Sequence, residues 1–303
     1  METVAVDTIS RTDTRFCVSY PLEDPVLFAS ITRFGIRMPL LLLDTTPYTV
    51  VAGFKRLDAA HRLGLPVVPC CISRMNEKDA LLTAITDNIN RPLNMVERAL
   101  GLDKLAQAGF SRDDLYGMMK LFGYEPHEKI LQNFLALARA DHETKGFIVE
   151  HAANMTMVEL LFAFENGDRS GIVRLLTGMH PTFSQLREIL QFLLLIKVKE
   201  GELPWDELPA AFTADQLKLS LKKRTHPMLS TLEDRLREIR TKAGLPPQVT
   251  LTVDPFFERE AIDITIRARH VHDVEEAILT LDKLVKDGWV RGILELTDGT
   301  YRN

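Results

Sequence analysis

The first ninety residues alternate short apolar runs with amphipathic stretches, a pattern typical of a small α/β unit. The runs predict strands at residues 39–43, 48–52 and 66–72, and helical spacing predicts helices at residues 22–34, 57–63 and 77–88. Gly35 stands where a helix C-cap is expected, and Gly53 stands in the turn between the second strand and its helix. Residues 1–92 are therefore predicted to form a mixed sheet packed against helices.

Residues 93–224 show mainly helical spacing. Asn94 and Ser111 are candidate N-caps, and acidic residues follow Ser111 as in a capping box. The helix after Ser111, followed by a second apolar stripe at residues 127–138, predicts a helix-turn-helix. Further helices are expected at residues 155–165, 169–176 and 183–199, before a linker at residues 203–209.

Residues 225–303 predict a small ββα unit. A charged helix at residues 229–243 precedes two alternating stretches, which begin at Val249 and Ile262 and predict two strands. A helical stripe then runs from Val274 to Leu284, and residues 289–296 are predicted to add one more strand. A unit this small buries little apolar surface alone, so pairing with a second copy is expected.

Composition and charge narrow the class of protein. The 303 residues are 46% hydrophobic and 26% charged, which is typical of a globular protein, and no apolar run approaches the roughly 20 residues that span a bilayer. No secretory signal pattern is seen, so a cytoplasmic protein without a membrane partner is expected. The cysteines Cys17, Cys70 and Cys71 lack the spacing of a zinc site or a disulfide framework. The net charge of −5 argues against a strongly basic nucleic-acid binder, so any DNA contact needs a local patch.

A candidate anion site lies at the turn around Gly53. Lys55 and Arg56 fall in the first turn of the following helix, where free N–H groups and the helix dipole favour an anion. A second polar cluster, residues 87–91, follows the next apolar helix and ends in Arg91. The two clusters together predict a two-part phosphate site.

The order of these motifs resembles that of the ParB family of centromere-binding CTP switches. Gly53 to Arg56 matches the family's GERR motif, residues 87–91 match ENxxR, and Gly35 to Pro39 matches GxxQP. The resemblance implies an α+β protein with a ParB/sulfiredoxin-like domain, a helix-turn-helix centre and a C-terminal dimerisation domain. It also implies CTP with Mg²⁺ as ligands, DNA and a ParA-like ATPase as partners, and a homodimer. The implied nucleotide-binding residues are Gly53, Lys55, Arg56, Asn88 and Arg91.

Three departures from the family motifs bear on hydrolysis. Phe54 and Asp87 stand where the family has glutamates, and Met38 stands where it has a glutamine. Phe54 cannot coordinate a metal or position water, and Asp87 keeps the charge on a shorter side chain. The sequence therefore predicts a site that binds nucleotide and is at most a weak CTPase, with Asp87 as the candidate catalytic residue and no metal site built from protein residues alone.

Two segments are candidates for DNA contact. The predicted recognition helix carries one early cation and two side chains suited to base edges: Lys129, Gln132 and Asn133. A basic patch near residue 222 offers Lys222, Lys223 and Arg224. Because acidic residues balance the basic ones around the helix-turn-helix, a regulator or adaptor that keeps the fold without binding DNA remains an alternative. A small-molecule kinase on the same α/β core is a further one.

Overall fold

The computed structural model describes residues 1–89, 91–208, 213–255, 257, 259 and 261–297. The chain divides into two compact units, Met1–Leu190 and Gln191–Asn303. Each unit is described by itself. The three domains expected from the sequence, at residues 1–92, 93–224 and 225–303, remain a prediction.

The first unit begins with a four-stranded sheet flanked by helices. Its strands are β1 (Glu2–Ala5), β2 (Leu40–Leu43), β3 (Thr49–Ala52) and β4 (Val67–Ser73). Their order is β1-β4-β2-β3; β2 runs parallel to β4, and the other two pairings are antiparallel. The mixed sheet is thus as predicted, and β1 is an additional edge strand. Three helices accompany it: α1 (Pro25–Phe34), α2 (Phe54–Arg62) and α3 (Glu77–Ile89).

The core of this part lies between the sheet and α2. Leu40, Leu42, Val50 and Val68 are fully buried there, as their apolar runs predict. Phe54, the first residue of α2, packs its half-buried ring against the same core. The start of α2 is therefore fixed to the sheet by burial of apolar surface.

The rest of the first unit is helical. It contains α4 (Met95–Gln107), α5 (Arg112–Leu121), α6 (Glu128–Ala138), α7 (His142–Glu150), α8 (Met155–Phe162), α9 (Asn166–Thr177) and the first part of α10 (Phe183–Glu200). The capping box predicted at Ser111 forms with Asp114 at the start of α5, and the predicted N-cap Asn94 forms a second capping box with Glu97 at the start of α4. The predicted helix-turn-helix segments form α5 and α6. Sequence spacing did not predict α7.

Among its described residues, the second unit has the end of α10, a small β hairpin and four further helices. It contains α11 (Ala214–Thr225), α12 (Pro227–Ala243), β5 (Val249–Val253), β6 (Ile262–Ile266), α13 (Val271–Lys286) and α14 (Trp289–Thr297). The strand predicted at residues 289–296 is wrong, because Ile293 and Leu296 lie on one face of α14 and pack into the core beside Leu236 of α12. Part of the predicted linker forms a short 3₁₀ turn at Trp205–Glu207, and residue 209 lies outside the described ranges. Within those ranges, no helix has the length and apolarity to cross a membrane.

Candidate anion-binding site

Gly53 and Arg56 form the first part of the site. Gly53 has φ +105°, in the left-handed region, and a Cβ built there would lie 3.0 Å from Leu40 Cγ and 3.3 Å from Arg56 Cζ. The backbone angle therefore favours glycine, a Cβ would press closest on Leu40, and the Arg56 guanidinium folds back over the same position. Gly53 also leaves the start of α2 without a side-chain cap, so this residue satisfies none of the first N–H groups of the helix.

Arg56 holds the loop that follows α1. Its Nη1 donates to the carbonyl oxygens of Met38, at 2.8 Å, and Pro39, at 2.6 Å. Burial lowers the pKa of Arg56, and the nearby Asp87 carboxylate acts in the opposite direction. The arginine thus joins the motif at Gly53 to the segment from Gly35 to Pro39.

A cavity of about 590 Å³ opens beside Arg56. Its walls come from α1, from the loop after it, from α2 and from the end of α3. The lining residues are Leu27, Ser30, Ile31, Gly35, Ile36, Arg37, Met38, Arg56, Asp87, Asn88 and Arg91. Three arginines from separate elements and one aspartate therefore line a single space, together with apolar residues of α1.

Arg91 is held by a buried carboxylate. Its Nη1 and Nη2 lie 2.7 and 2.6 Å from the two carboxylate oxygens of Glu97, whose side chain is only 1% exposed. Nη2 also donates to Asn88 Oδ1 at 3.0 Å, and Asn88 Nδ2 donates to Ala84 O. The hydrogen bonds that Arg91 donates to Glu97 are the main reason that the pKa of Arg91 is raised. Asn88 and Arg91 therefore form one rigid group at the cavity wall.

Lys55 is not brought to the cavity. Its Nζ lies 3.4 Å from Asp24 Oδ2, and Asp24 is the N-cap of α1. The Leu27 amide, assisted by the charge of Lys55, lowers the pKa of Asp24. In this structure Lys55 fastens α2 to the start of α1.

Arg37 and Glu97 are the residues of this site that sequence reasoning missed. Arg37 is exposed on the cavity wall, within the Gly35 to Pro39 segment that was already recognised as a motif. The sequence signal for Glu97 is weaker: it lies three residues after the N-cap Asn94, where a capping-box acid is expected. Nothing in its spacing indicates that it pairs with Arg91.

The carboxylate at this cavity could help to bind a metal ion only if the ligand's phosphates supplied further oxygens. Among the described residues, no three His, Cys, Asp or Glu side chains cluster to hold a metal. Mg²⁺ in nucleotide sites uses one or two carboxylates together with the phosphates. Asp87, exposed at the cavity, could supply one such carboxylate, whereas Phe54 supplies none.

The candidate DNA contacts on α6 are engaged with acidic side chains. Lys129 Nζ lies 3.7 Å from Glu159 Oε1, and Asn133 Nδ2 donates to the same oxygen at 3.4 Å. Gln132 Nε2 donates to Glu128 Oε1 at 2.6 Å. These polar groups are thus partly satisfied within the chain.

The basic patch of the second unit is likewise paired. Lys222 contacts Glu233 at 2.5 Å, Lys223 contacts Asp234 at 3.2 Å, and Arg224 contacts Glu200 at 2.7 Å. The acidic partners lower the positive potential of this patch. Because ion pairs near the surface are weak, a DNA phosphate could still replace the carboxylates.

The family match to known proteins lies within the first unit. Residues 5–89 match the ParB N-terminal domain family. The probable chromosome-partitioning protein ParB of Vibrio cholerae is 39% identical over 82 residues, covering 26% of this chain and 28% of that protein. The probable plasmid-partitioning protein ParB of Thermus thermophilus is 34% identical over 125 residues, covering 40% and 42%.

Among solved structures, the truncated chromosome-partitioning protein ParB of Caulobacter crescentus, complexed to parS, is 17% identical with a TM-score of 0.35, covering 63% of this chain and 99% of that one. The chain spans less than half the length of the two curated relatives above. The assignment therefore rests on the family match and on those relatives. Residues 5–89 match the ParB N-terminal domain, and the chain is similar in part to chromosome- and plasmid-partitioning ParB proteins.

Proposed function

We propose that this ParB-like protein binds a nucleoside triphosphate, CTP by resemblance, in the cavity between α1 and the end of α3, and that binding switches a DNA-partitioning or regulatory dimer. The observation that carries the proposal is the convergence of Arg37, Arg56 and Arg91 on one cavity. A triphosphate supplies the negative charge that such a group of guanidinium forks recognises.

The start of α2 adds to the phosphate-binding capacity. Gly53 provides no side chain to cap the helix, so the first N–H groups of α2 and its dipole remain available. Arg56 lies over this same turn, within contact of Gly53. A phosphate at the turn would therefore meet backbone donors and a guanidinium together.

Hydrolysis is expected to be slow. Phe54 occupies the position of a family glutamate, and its ring packs on the sheet core away from any role with water or metal. Asp87 is the acidic residue on the cavity wall that could hold Mg²⁺ with the phosphates. Binding of the nucleotide, more than its turnover, would then operate the switch.

Calorimetric titration with CTP and ATP, each with Mg²⁺, tests the proposal. Arg56→Ala should abolish measurable binding. Arg62→Ala is the matched control, because Arg62 lies on the same helix but pairs with Glu23 and Asp58 outside the cavity. If the wild-type protein binds neither nucleotide, or if both variants bind like it, the proposal is wrong.

A homodimer through the second unit forms part of the proposal. Four apolar residues form an exposed stripe along α13: Val271, Val274, Ile278 and Val285. On β6, Ile264 and Ile266 are also exposed, and among the described residues this strand pairs with β5 alone. Exposed apolar stripes on so small a unit are best explained by a second copy of it.

DNA is the expected nucleic-acid partner, and a ParA-like ATPase is the protein partner that the resemblance implies. To contact DNA, the candidate side chains of α6 would have to give up their contacts with the carboxylates of Glu128 and Glu159; these side chains are Lys129, Gln132 and Asn133. These contacts within the chain are the observation behind the second candidate, a regulator that does not bind DNA.

Fluorescence anisotropy with random and centromere-like duplexes, at several salt concentrations, separates the two candidates. Salt-dependent binding that weakens in Lys129→Ala supports DNA binding through α6. Lack of binding even at low salt supports the regulator.

A further inference from the structure

We propose that the Glu97 carboxylate occupies the place at Arg91 that a bound phosphate takes, so that anion binding releases the contacts of Glu97 with Tyr20 and the start of α4. The inference rests on the proposed anion site and assigns a role to a residue outside the cavity lining. Glu97 is a positioning residue in this scheme, because it acts on the ligand through Arg91.

The first argument is the number of donors on Arg91. One hydrogen of Nη1 and one of Nη2 are directed to the Glu97 oxygens, and the second hydrogen of Nη2 is directed to Asn88 Oδ1. Nη2 therefore has no hydrogen left for a ligand. A phosphate that engages both terminal nitrogens, the usual fork geometry, needs Glu97 to move.

Electrostatics point the same way. Glu97 is almost completely buried, so its charge is weakly screened by water. In the ligand-free protein the carboxylate neutralises Arg91. An incoming phosphate must share this guanidinium with a like charge only a few ångströms away, and it binds less tightly than it would at a free arginine.

Glu97 connects Arg91 to the helical part of the unit. Its Oε1 also accepts from the Tyr20 amide at 3.2 Å, and its Oε2 accepts from the Asn94 amide at 3.2 Å. Asn94 Nδ2 in turn donates to Tyr20 O at 2.6 Å, and the Tyr20 hydroxyl donates to the carbonyl of His142, the first residue of α7. Movement of Glu97 would therefore loosen a link between the cavity wall and α7, the helix that follows α6.

Because phosphate binding and the Glu97 contacts compete for Arg91, each must weaken the other. The first test measures calorimetric binding of tripolyphosphate to the full chain and to Glu97→Gln. Glutamine at this helix position keeps a capping box and removes the charge. We expect Glu97→Gln to bind about tenfold more tightly. Equal or weaker binding overturns the proposal.

A matched control is Asp114→Asn, which removes the acid at the same position of the capping box on α5. Its binding should stay within about twofold of the wild type. A tenfold gain in this variant too would overturn the role of Glu97, because the effect would then come from net charge.

Hydrogen exchange on the wild-type protein tests the release without any variant. Saturating tripolyphosphate should speed exchange at the Tyr20 amide, and unchanged or slower exchange contradicts the proposal.

Loss of binding in Arg56→Ala with no gain in Glu97→Gln would overturn this inference and leave the anion site intact. Failure of tripolyphosphate and nucleotides to bind any of these proteins would overturn both.

Discussion

Arg56 lies across Gly53, with its guanidinium carbon 3.3 Å from where a Cβ on that glycine would be. The same guanidinium donates to the carbonyl oxygens of Met38 and Pro39. One side chain therefore couples the turn before α2 to the loop after α1. The loop lines the cavity, and the turn lies directly behind the lining residue Arg56. The glycine and the arginine of this motif thus depend on each other sterically.

Gly53→Ala should destabilise the first unit by about 2 kcal/mol, from left-handed strain and a close contact with Leu40. It should also weaken nucleotide binding, because Arg56 must shift. Gly64→Ala is the control: Gly64 has φ +64° and a Cβ there would meet nothing within 4 Å. Thermal and denaturant unfolding of both variants should show the smaller loss, about 1 kcal/mol, for Gly64→Ala. Equal losses would contradict the steric account.

Arg91→Ala should lower the free energy of unfolding by about 3 kcal/mol, because it leaves the buried Glu97 carboxylate without its partner. Arg74→Ala offers a comparison, since Arg74 is 89% exposed in its pair with Asp44. That variant should change stability by no more than about 0.5 kcal/mol. Chemical denaturation of the two variants checks the difference, and a small effect at Arg91 would mean that Glu97 finds another partner or water.

Asp13 should make stability depend on pH in the acid range. Its hydrogen bonds to the Arg15 side chain, assisted by Thr49, lower its pKa from 3.8 to about 2. A folded-state pKa below the unfolded value stabilises the protein above about pH 4, and this contribution is lost as pH falls toward 2. Denaturant unfolding between pH 2 and 5 should show a steeper acid loss for the wild type than for Asp13→Asn. Parallel curves would contradict the prediction.

Ile278→Asp should dissociate the proposed homodimer with little effect on folding, because Ile278 is 57% exposed within one chain. Sedimentation velocity should show at least a tenfold weaker association, the loss expected when a carboxylate enters an apolar interface. Lys283→Asp places the same carboxylate on the opposite face of α13 and should leave association unchanged. A monomeric wild type, or equal effects of the two variants, would argue against this interface.

Local patterns predicted most of the elements. Strands β2, β3 and β4, the glycine turn and the N-caps Asn94 and Ser111 follow from signals within a few residues, whereas β1 was not predicted. The motif resemblance grouped Arg56, Asn88 and Arg91, and the structure has all three on the wall of one cavity. The strand predicted at residues 289–296 was wrong because the spacing of Ile293 and Leu296 is compatible with either a strand or a short helix. Their packing on α12 decided the outcome.

Pairing of charges could not be predicted from sequence. Glu97 lies six residues from Arg91, Glu159 reaches α6 from α8, and Glu233 reaches Lys222 from α12. Each pair depends on how helices pack, which local spacing does not encode. For the same reason Lys55 looked like a phosphate ligand, whereas folding places Asp24 beside it.

The ring of Phe54 has a consequence for how this protein can evolve. The side chain that stands where the family motif has a glutamate also packs against the sheet core. Returning a glutamate to this position would remove apolar contact and bring a charge toward the core, so the reversion would cost stability before it could restore any hydrolysis. At this position the packing ring and a carboxylate therefore exclude each other, so a single substitution to glutamate gives up apolar packing before it adds any chemistry.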